Sequence, residues 1–250
     1  MRTFGLIGNP LTHSFSVKYF TDKFQKENIT DAEYRNFPLR KIDDVALLFD
    51  DSKILGFNVT IPYKQTIIPF LDELDSSASD VRAVNNVLIK RSKLGAIEKK
   101  IGFNTDIFGF ENSLKPFLNG QHKNALVLGS GGSSKAVVHV LNNLKIEFSF
   151  VSRNQGENTS TYDDLSPQTI LEHTLIINTT PVGMFPSIHA VPDIPYSFIT
   201  SKHLLFDLIY NPTETEFLKR GKQQNAQIKN GLEMLHLQAE RSWEIWNDLT

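Results

Sequence analysis

The sequence has no cysteine, no long hydrophobic stretch and no excess of either charge. Without cysteine, disulfide bonds, thiolate metal sites and a cysteine nucleophile are excluded. Its apolar runs are far shorter than the ~20 residues that cross a bilayer. Glycine and proline interrupt the apolar run near the first residue, so we expect no signal peptide and no membrane partner. These features are consistent with a soluble, cytoplasmic protein.

Charge and composition exclude further classes of protein. Lys and Arg number 26 and Asp and Glu number 28, which gives a net charge of −2. Proteins that bind the phosphate backbone of nucleic acids usually carry a basic surplus, so we expect no nucleic-acid partner. A hydrophobic content of 40% and a charged content of 22% are typical of globular proteins. A chain of 250 residues is long enough for one or two domains.

Apolar runs in the first hundred residues predict strands that alternate with helices. The predicted strands are residues 4–7, 34–37, 54–60 and 84–89. Val17, Phe20 and Phe24 recur at helical spacing, with Ser16 as a possible N-cap. Further helices are predicted at residues 42–49 and after Pro62, which suits a first helical turn. The charged run that follows the last strand is predicted to form a solvated hairpin tip.

A second block of alternating elements begins near Asp106. Its predicted strands are residues 125–128, 148–151, 175–178 and 204–208, and its predicted helices lie around 110–117, 137–144 and 231–250. Strands that alternate with helices indicate right-handed crossovers and a parallel sheet. We therefore predict two α/β domains with a boundary near residue 105.

A glycine-rich loop connects the first strand and helix of this second block. It comprises Gly129, Ser130, Gly131, Gly132 and Ser133. A glycine allows the tight turn, another lets the backbone approach a pyrophosphate, and the helix N-terminus offers N–H groups to it. Serine replaces the third glycine of the usual dinucleotide-binding pattern. The alternative is an ordinary glycine-rich turn, but the flanking strand and helix favour a nucleotide site.

The next strand ends at Ser152 and Arg153. Sheets that bind NAD usually carry an acidic residue here, which holds the ribose 2′-hydroxyl. A guanidinium instead suits a 2′-phosphate. The alternative is a solvated surface arginine, but at this position the sequence favours NADP.

Polar side chains cluster where predicted strands of the first block end. They lie in residues 13–16, 58–64, 83–86 and 104–106. Taken singly, each is explained by turns, helix caps or surface lysines. Together, hydroxyls, amides, one lysine and one aspartate match a site for a small polyol acid. The seven histidines show no close paired spacing, so we expect no metal.

In their order and spacing, these segments resemble the shikimate dehydrogenase family over essentially the whole chain. The resemblance rests on residues 13–16 (HSFS), 56–64 (GFNVTIPYK), 83–86 (AVNN), 102–106 (GFNTD), the glycine loop, 178–184 (NTTPVGM), 207–212 (DLIYNP) and 231–235 (GLEML) with Gln238. Two departures stand out. Val17 replaces a common proline, and the stretch after Arg153 contains Glu157 where many members have a second basic residue.

The resemblance implies an activity, a cofactor and a fold. Family members reversibly reduce 3-dehydroshikimate to shikimate with NADPH, a step towards chorismate and the aromatic amino acids. It implies an N-terminal α/β substrate domain, residues 1–105, completed by the C-terminal helix 232–250. It also implies a Rossmann-like, doubly wound parallel-sheet domain for NADP, residues 106–231. A monomer and a homodimer both remain open.

The resemblance also implies roles for individual residues. Lys64 is the expected catalytic acid/base, hydrogen-bonded to Asp106. The substrate carboxylate is expected at Ser14, Ser16 and Tyr210. Asn58, Thr60, Asn85 and Gln238 are expected to bind substrate hydroxyls or the neighbouring network. Besides the glycine loop, Ser152 and Arg153, the expected cofactor residues are Asn178, Thr179, Thr180 and Met234.

Two other functions remain in competition. One is a quinate/shikimate dehydrogenase that uses NAD, which an acidic residue near Ser152 would have favoured and Arg153 disfavours. The other is a catalytically silent module that senses shikimate or a nucleotide. Loss of Lys64 or Asp106 would have favoured that module, and both are present.

Overall fold

The computed structural model describes residues 1–11, 15–156 and 159–248. The chain divides into two compact units. The first unit comprises Met1–Asp106 together with Gln238–Thr250, and the second comprises Ile107–Leu237. The limit near residue 105 was expected from the sequence. The second limit falls six residues later than expected, at 237 rather than 231, inside the last helix.

The first unit is built on a six-stranded mixed sheet. Its strands are Arg2–Gly8 (β1), Ala32–Pro38 (β2), Ile54–Val59 (β3), Glu73–Leu74 (β4), Asn86–Arg91 (β5) and Ile97–Phe103 (β6), in the order β2-β1-β3-β5-β6-β4. Its helices are Phe15–Lys26 (α1), Ala46–Asp50 (α2) and Ser76–Val81 (α3). Strand β1 pairs in parallel with β2 and β3, whereas β5 runs antiparallel to β3 and β6. The β5–β6 hairpin turns at the charged run, as predicted, and a tight hairpin requires antiparallel strands.

Two local predictions for the first unit are wrong, and a third holds with a change in helix type. The segment after Pro62 forms turns that end in a 3₁₀ helix, Ile68–Phe70. Residues 66–68 are all β-branched and a proline follows them, which disfavours an α-helix there. The helix predicted at residues 42–49 is present as a 3₁₀ turn, Ile42–Val45, that continues directly into α2. Ser16 is the second residue of α1 rather than its N-cap.

The second unit contains a six-stranded parallel sheet. Its strands are Asn124–Leu128 (β7), Glu147–Ser152 (β8), Thr159–Thr161 (β9), Leu175–Asn178 (β10), Leu204–Asp207 (β11) and Gln227–Lys229 (β12), in the order β12-β11-β10-β7-β8-β9. The helices after residue 104 are Thr105–Leu114 (α4), Gly132–Asn143 (α5), Pro167–Glu172 (α6), Glu216–Gln223 (α7) and Leu232–Asp248 (α8). The strand order reverses between β7 and β10. Ligands of doubly wound sheets bind at such a switch point, beyond the carboxyl ends of the strands.

The C-terminal part of α8 packs on the sheet of the first unit. Trp246 is fully buried, stacks on Phe4 with ring centroids 4.8 Å apart, and donates its indole N–H to the carbonyl of Val87 over 3.0 Å. The indole lies so close to Gly56 that a Cβ there would stand 2.4 Å from its nitrogen. This contact explains why the last helix completes the core of the first unit. Within the described ranges, no helix is long and apolar enough to span a membrane.

Candidate active site

The centre of the candidate site is an ion pair in the first unit. The ammonium of Lys64 donates to Oδ2 of Asp106 over 2.6 Å, and the two side chains are 22% and 17% exposed. Lys64 lies in the turn after β3, where its carbonyl accepts the N–H of Val84. Asp106 lies in the first turn of α4, where the helix dipole favours a carboxylate. The pair is therefore held in place but still open to solvent, as proton exchange with a bound molecule requires.

Asn85 fixes the orientation of this carboxylate. Its Nδ2 donates to Oδ1 of Asp106 over 2.9 Å and to Oγ1 of Thr105 over 3.0 Å. Its Oδ1 accepts the backbone N–H of Thr105 over 2.7 Å, which satisfies a free donor at the start of α4. One buried amide thus caps the helix and holds one carboxylate oxygen, while the other oxygen faces Lys64.

Asn58 belongs to the wall of the site. Its Oδ1 accepts from the hydroxyl of Tyr34 over 2.8 Å, and its Nδ2 donates to Oγ of Ser242 over 2.8 Å and to the carbonyl of Asn85 over 3.2 Å. Both N–H groups of this buried amide are therefore engaged by the protein itself. Asn58 joins β2, β3 and α8 in one hydrogen-bonded layer.

Two further predicted substrate residues, Gln238 and Ser16, are hydrogen-bonded to members of this layer. Oγ1 of Thr105 lies 3.4 Å from Oε1 of Gln238 and 3.3 Å from Oγ of Ser242. Burial raises the pKa of the Tyr34 hydroxyl above its usual range, and a hydrogen bond with Ser16 opposes that shift. Thr60 follows β3 directly and is partly exposed. Ser14 lies outside the described residues.

In the second unit, the glycine loop turns directly into α5. Gly129 has a φ of +96°, a conformation that side-chain-bearing residues rarely adopt. Gly131 is the N-cap residue of α5. A Cβ placed on Gly131 or Gly132 would meet no other described atom within 4 Å. The open backbone and helix N-terminus fit the pyrophosphate of a dinucleotide. Ser130 is exposed beside them and Ser133 is half-buried.

The segment after β10 packs against the glycine loop and is hydrogen-bonded to it. Oγ1 of Thr179 donates to the carbonyls of Leu128 and Gly129 over 2.8 and 3.1 Å. The methyl group of Thr180 lies against Gly129, so that an added Cβ there would be 2.7 Å away. Oδ1 of the fully buried Asn178 accepts from the backbone N–H and Oγ1 of Thr180, over 3.0 and 2.6 Å. The polar groups of these side chains are therefore used within the protein, where they hold the glycine loop in place.

The end of β8 presents the predicted 2′-phosphate residues. Oγ of Ser152 donates to the carbonyl of Asn154 over 2.5 Å, which closes a tight turn. Arg153 is exposed on this turn, and its charge opposes the rise in the pKa of Tyr162 that burial causes. Glu157, the acidic residue noted in the sequence, lies outside the described residues.

Tyr210 and Met234 are half-buried in the second unit. Tyr210 follows β11, and burial raises the pKa of its hydroxyl above its usual range. In the described ranges there is no group of three or more His, Asp or Glu side chains that could hold a metal ion.

Comparison with known proteins identifies the family. Residues 6–87 match the model of the shikimate dehydrogenase substrate binding domain. The NADP(+) shikimate dehydrogenase of Methanosphaera stadtmanae is 34% identical, over 98% of this chain and 91% of the relative. The chain belongs to the shikimate dehydrogenase family.

Solved structures of shikimate dehydrogenases share the whole fold. One, in complex with NADP+, is 30% identical and superposes with a TM-score of 0.85 over 99% of this chain and 90% of the other. The Thermus thermophilus enzyme, in complex with NADP(H) and shikimate, is 26% identical with a TM-score of 0.84, over 99% and 94% of the two chains. The predicted two-domain fold with a Rossmann-like nucleotide domain is confirmed.

Within this shikimate dehydrogenase fold, sequence reasoning missed several residues that build the site. Ser242 and Tyr34 complete the layer around Asn58. Ser242 follows Gln238 by four residues, so helical spacing could have placed both on one face. Asp207 was also missed. It is fully buried and accepts hydrogen bonds from Asn178, Ile209 and Thr215. Its signal is an acidic residue at the end of an apolar strand.

Proposed function

We propose that this protein catalyses the reversible, NADP-dependent reduction of 3-dehydroshikimate to shikimate. The observation that carries the proposal is the pair of Lys64 and Asp106, joined over 2.6 Å at the edge of the first unit's hydrogen-bonded layer. It is supported by membership of a family whose NADP(+) enzymes are about a third identical to this chain over nearly its full length.

The chain supplies the proton chemistry of the reaction. Bound NADPH supplies a hydride to the carbonyl carbon of the substrate. As negative charge develops on the carbonyl oxygen, the ammonium of Lys64 donates a proton to it. Asp106 keeps the ammonium oriented and stabilises its charged form, and Asn85 holds Asp106 in place. In the reverse direction, neutral Lys64 accepts the proton of the substrate hydroxyl.

Hydroxyl and amide groups are proposed to bind the substrate. Ser14, Ser16 and Tyr210 donate to its carboxylate, and Thr60 and Gln238 contact its hydroxyls. Asn85 belongs to the neighbouring network, because its amide is engaged by Asp106 and Thr105. Asn58 acts as part of the wall, because its amide N–H groups are already engaged by Asn85 and Ser242. A polyhydroxylated ring is then selected by hydrogen bonds, and analogues that lack a hydroxyl leave buried partners unpaired.

The second unit is proposed to bind NADP. The pyrophosphate lies at the glycine loop, 129–133, and the 2′-phosphate at Ser152 and Arg153. The segment 178–180 and Met234 lie near the nicotinamide. We assign the substrate role to residues 1–105 with the C-terminal helix and the cofactor role to residues 106–231. A cytoplasmic enzyme, either monomeric or homodimeric, is part of the proposal.

A two-by-two assay tests this function. Shikimate or quinate is offered with NADP or NAD, and the absorbance of the reduced nicotinamide is followed. We expect the highest kcat/KM with shikimate and NADP. A higher value with quinate and NAD would identify the quinate-type enzyme. Shikimate binding by calorimetry with no turnover in any combination would identify a silent sensing module.

A further inference from the structure

The carboxylate of Asp207 joins three segments of the second unit. Its Oδ1 accepts from Nδ2 of Asn178 over 3.0 Å and from the N–H of Ile209 over 3.0 Å, while Oδ2 accepts from Oγ1 of Thr215 over 2.6 Å. Asp207, Asn178 and Thr215 are each at most 1% exposed. Burying a carboxylate is costly unless such donors surround it. Burial raises the pKa of Asp207 to about 7, although all three donors act in the opposite direction.

Two of these contacts connect Asp207 to different parts of the second unit. Thr215 is the N-cap residue of α7, and its Oγ1 also accepts the N–H of Leu218. This contact, the Thr215 arm, anchors the N-terminus of α7. The other contact, the Asn178 arm, reaches Thr180, because the N–H and the hydroxyl of Thr180 both donate to the side-chain oxygen of Asn178.

The Asn178 arm ends at the glycine loop. Thr180 packs its methyl group against Gly129, and Thr179 donates its N–H and hydroxyl to the carbonyl of Leu128 over 2.9 and 2.8 Å. Asp207, Asn178, Thr180 and Gly129 therefore form a continuous chain of contacts across the topological switch point. A rotation of the Asn178 amide would move the residues on which the loop rests.

We infer that Asp207 is a positioning residue for the cofactor, acting through Asn178 on the loop that receives the pyrophosphate. The inference rests on the proposed function, because it takes the glycine loop as the NADP site. Asp207 touches neither substrate nor cofactor in this assignment. Its contribution is to lock the orientation of one amide. In Asp207→Asn an N–H group replaces one of the two oxygens, so the side chain cannot accept from Asn178, Ile209 and Thr215 together as Asp207 does.

A binding experiment on the full chain separates positioning from simple stabilisation. NADPH is titrated against wild type, Asp207→Asn, Asn178→Ala, the double variant and Thr215→Val, with cofactor fluorescence as the readout and thermal unfolding recorded alongside. We expect Asp207→Asn and Asn178→Ala each to raise the NADPH Kd roughly 10-fold, within the cost of leaving a buried polar group without its hydrogen-bond partner. The shikimate KM at saturating NADP should stay unchanged. Thr215→Val should lower Tm and leave the NADPH Kd within about twofold, since its arm does not reach the loop.

The double variant decides whether the two residues act as one path. If Asp207 acts through Asn178, the double variant binds NADPH no more weakly than Asn178→Ala alone. Additive losses, an unchanged Kd for Asp207→Asn, or an equal loss for Thr215→Val would overturn the inference. Should Asp207→Asn not fold, Asp207→Ser against Thr215→Val makes the same comparison. A wild type that binds NADPH but does not oxidise shikimate would contradict the proposed function and leave this inference standing.

Discussion

At the scale of single residues, Lys64 makes the most specific claim. Lys64→Ala is expected to lower kcat by ~10²–10⁴-fold, the range that positioned acid–base groups contribute. The shikimate KM should change little, because hydroxyl and amide groups hold the substrate. Stopped-flow or steady-state rates of NADP reduction measure both quantities.

A matched control exists on α1. Lys18 forms a pair of the same length with Asp22, 2.6 Å, but the two side chains are 78% and 61% exposed. Lys18→Ala should leave kcat unchanged. Asp106→Asn should be nearly as slow as Lys64→Ala, since a neutral amide does not stabilise the ammonium. A Lys64→Ala enzyme with near-normal kcat would exclude Lys64 as the acid.

Arg153 carries the cofactor preference. Arg153→Ala is expected to lower kcat/KM for NADP by about 10–150-fold, the worth of a charge-assisted hydrogen bond of ~1.5–3 kcal/mol. The value for NAD, which lacks the 2′-phosphate, should stay nearly constant and serves as the internal control. Equal losses with both cofactors would show that Arg153 supports the turn or the adenine instead.

Residue identities were easier to predict from the sequence than the roles of their side-chain atoms. The contact of Lys64 with Asp106 is as predicted, and Asn85 lies beside them. Asn178 and Thr179 were predicted to bind the cofactor, a role that stays a proposal, yet their polar atoms are engaged by the protein. A sequence shows which groups are polar but not which neighbours already satisfy them.

At the scale of elements, long buried strands were predictable and very short ones were not. Strands such as β7 and β11 are continuous apolar runs, because parallel strands are covered on both faces. Strands β4, β9 and β12 have only two or three residues and leave no periodic signal. The helix expected after Pro62 failed because local helix-breaking residues outweighed a favourable first turn. Strand β5 runs antiparallel to β6 because a tight hairpin joins the two strands.

The packing of α8 on the sheet of the first unit gives a prediction at the scale of elements. A methyl group at Gly56 would stand 2.4 Å from the Trp246 indole nitrogen and 2.7 Å from the carbonyl of Val87. Gly56→Ala must therefore push the helix away from the sheet and should cost ~1–3 kcal/mol of stability, as overpacked cores do. Gly120→Ala is the control, since a Cβ there meets no described atom within 4 Å. Equal urea midpoints for the two variants would show that α8 shifts freely.

At the scale of the whole molecule, the two units can be observed separately. Both tryptophans of the chain, Trp243 and Trp246, belong to the first unit. Tryptophan fluorescence therefore follows the first unit, whereas circular dichroism follows both. In a chain of two units, a single midpoint is not a defined quantity unless these probes coincide. The distinction makes a pH effect in the second unit measurable.

The burial of His122 predicts a pH-dependent contribution to the stability of the second unit. It is 4% exposed in the second unit, and its Nδ1 accepts the N–H of Asn119 over 3.2 Å. Burial lowers its pKa below the ordinary 6.5, nearby His203 lowers it further, and a hydrogen bond with the backbone of Lys202 opposes them. The neutral ring is favoured only in the folded state, so its stabilisation is complete above about pH 6.5. It is lost as the pH falls from there through the lower folded-state pKa.

Between pH 7 and 5 the contribution of His122 to the stability of the second unit should therefore be lost, whereas Asp207, whose raised pKa favours protonation in the folded state, contributes in the opposite direction over this range. Comparing wild type with His122→Asn in the melting transition followed by circular dichroism isolates the His122 contribution, because both proteins keep Asp207. His122→Asn keeps an acceptor near Nδ1 but does not titrate. It should be less stable than wild type at pH 7, and the deficit should shrink by pH 5 because only wild type bears the cost of protonation. The tryptophan transition should show no such difference between the two proteins. A deficit of the same size at both pH values would show that His122 is not protonated in this range.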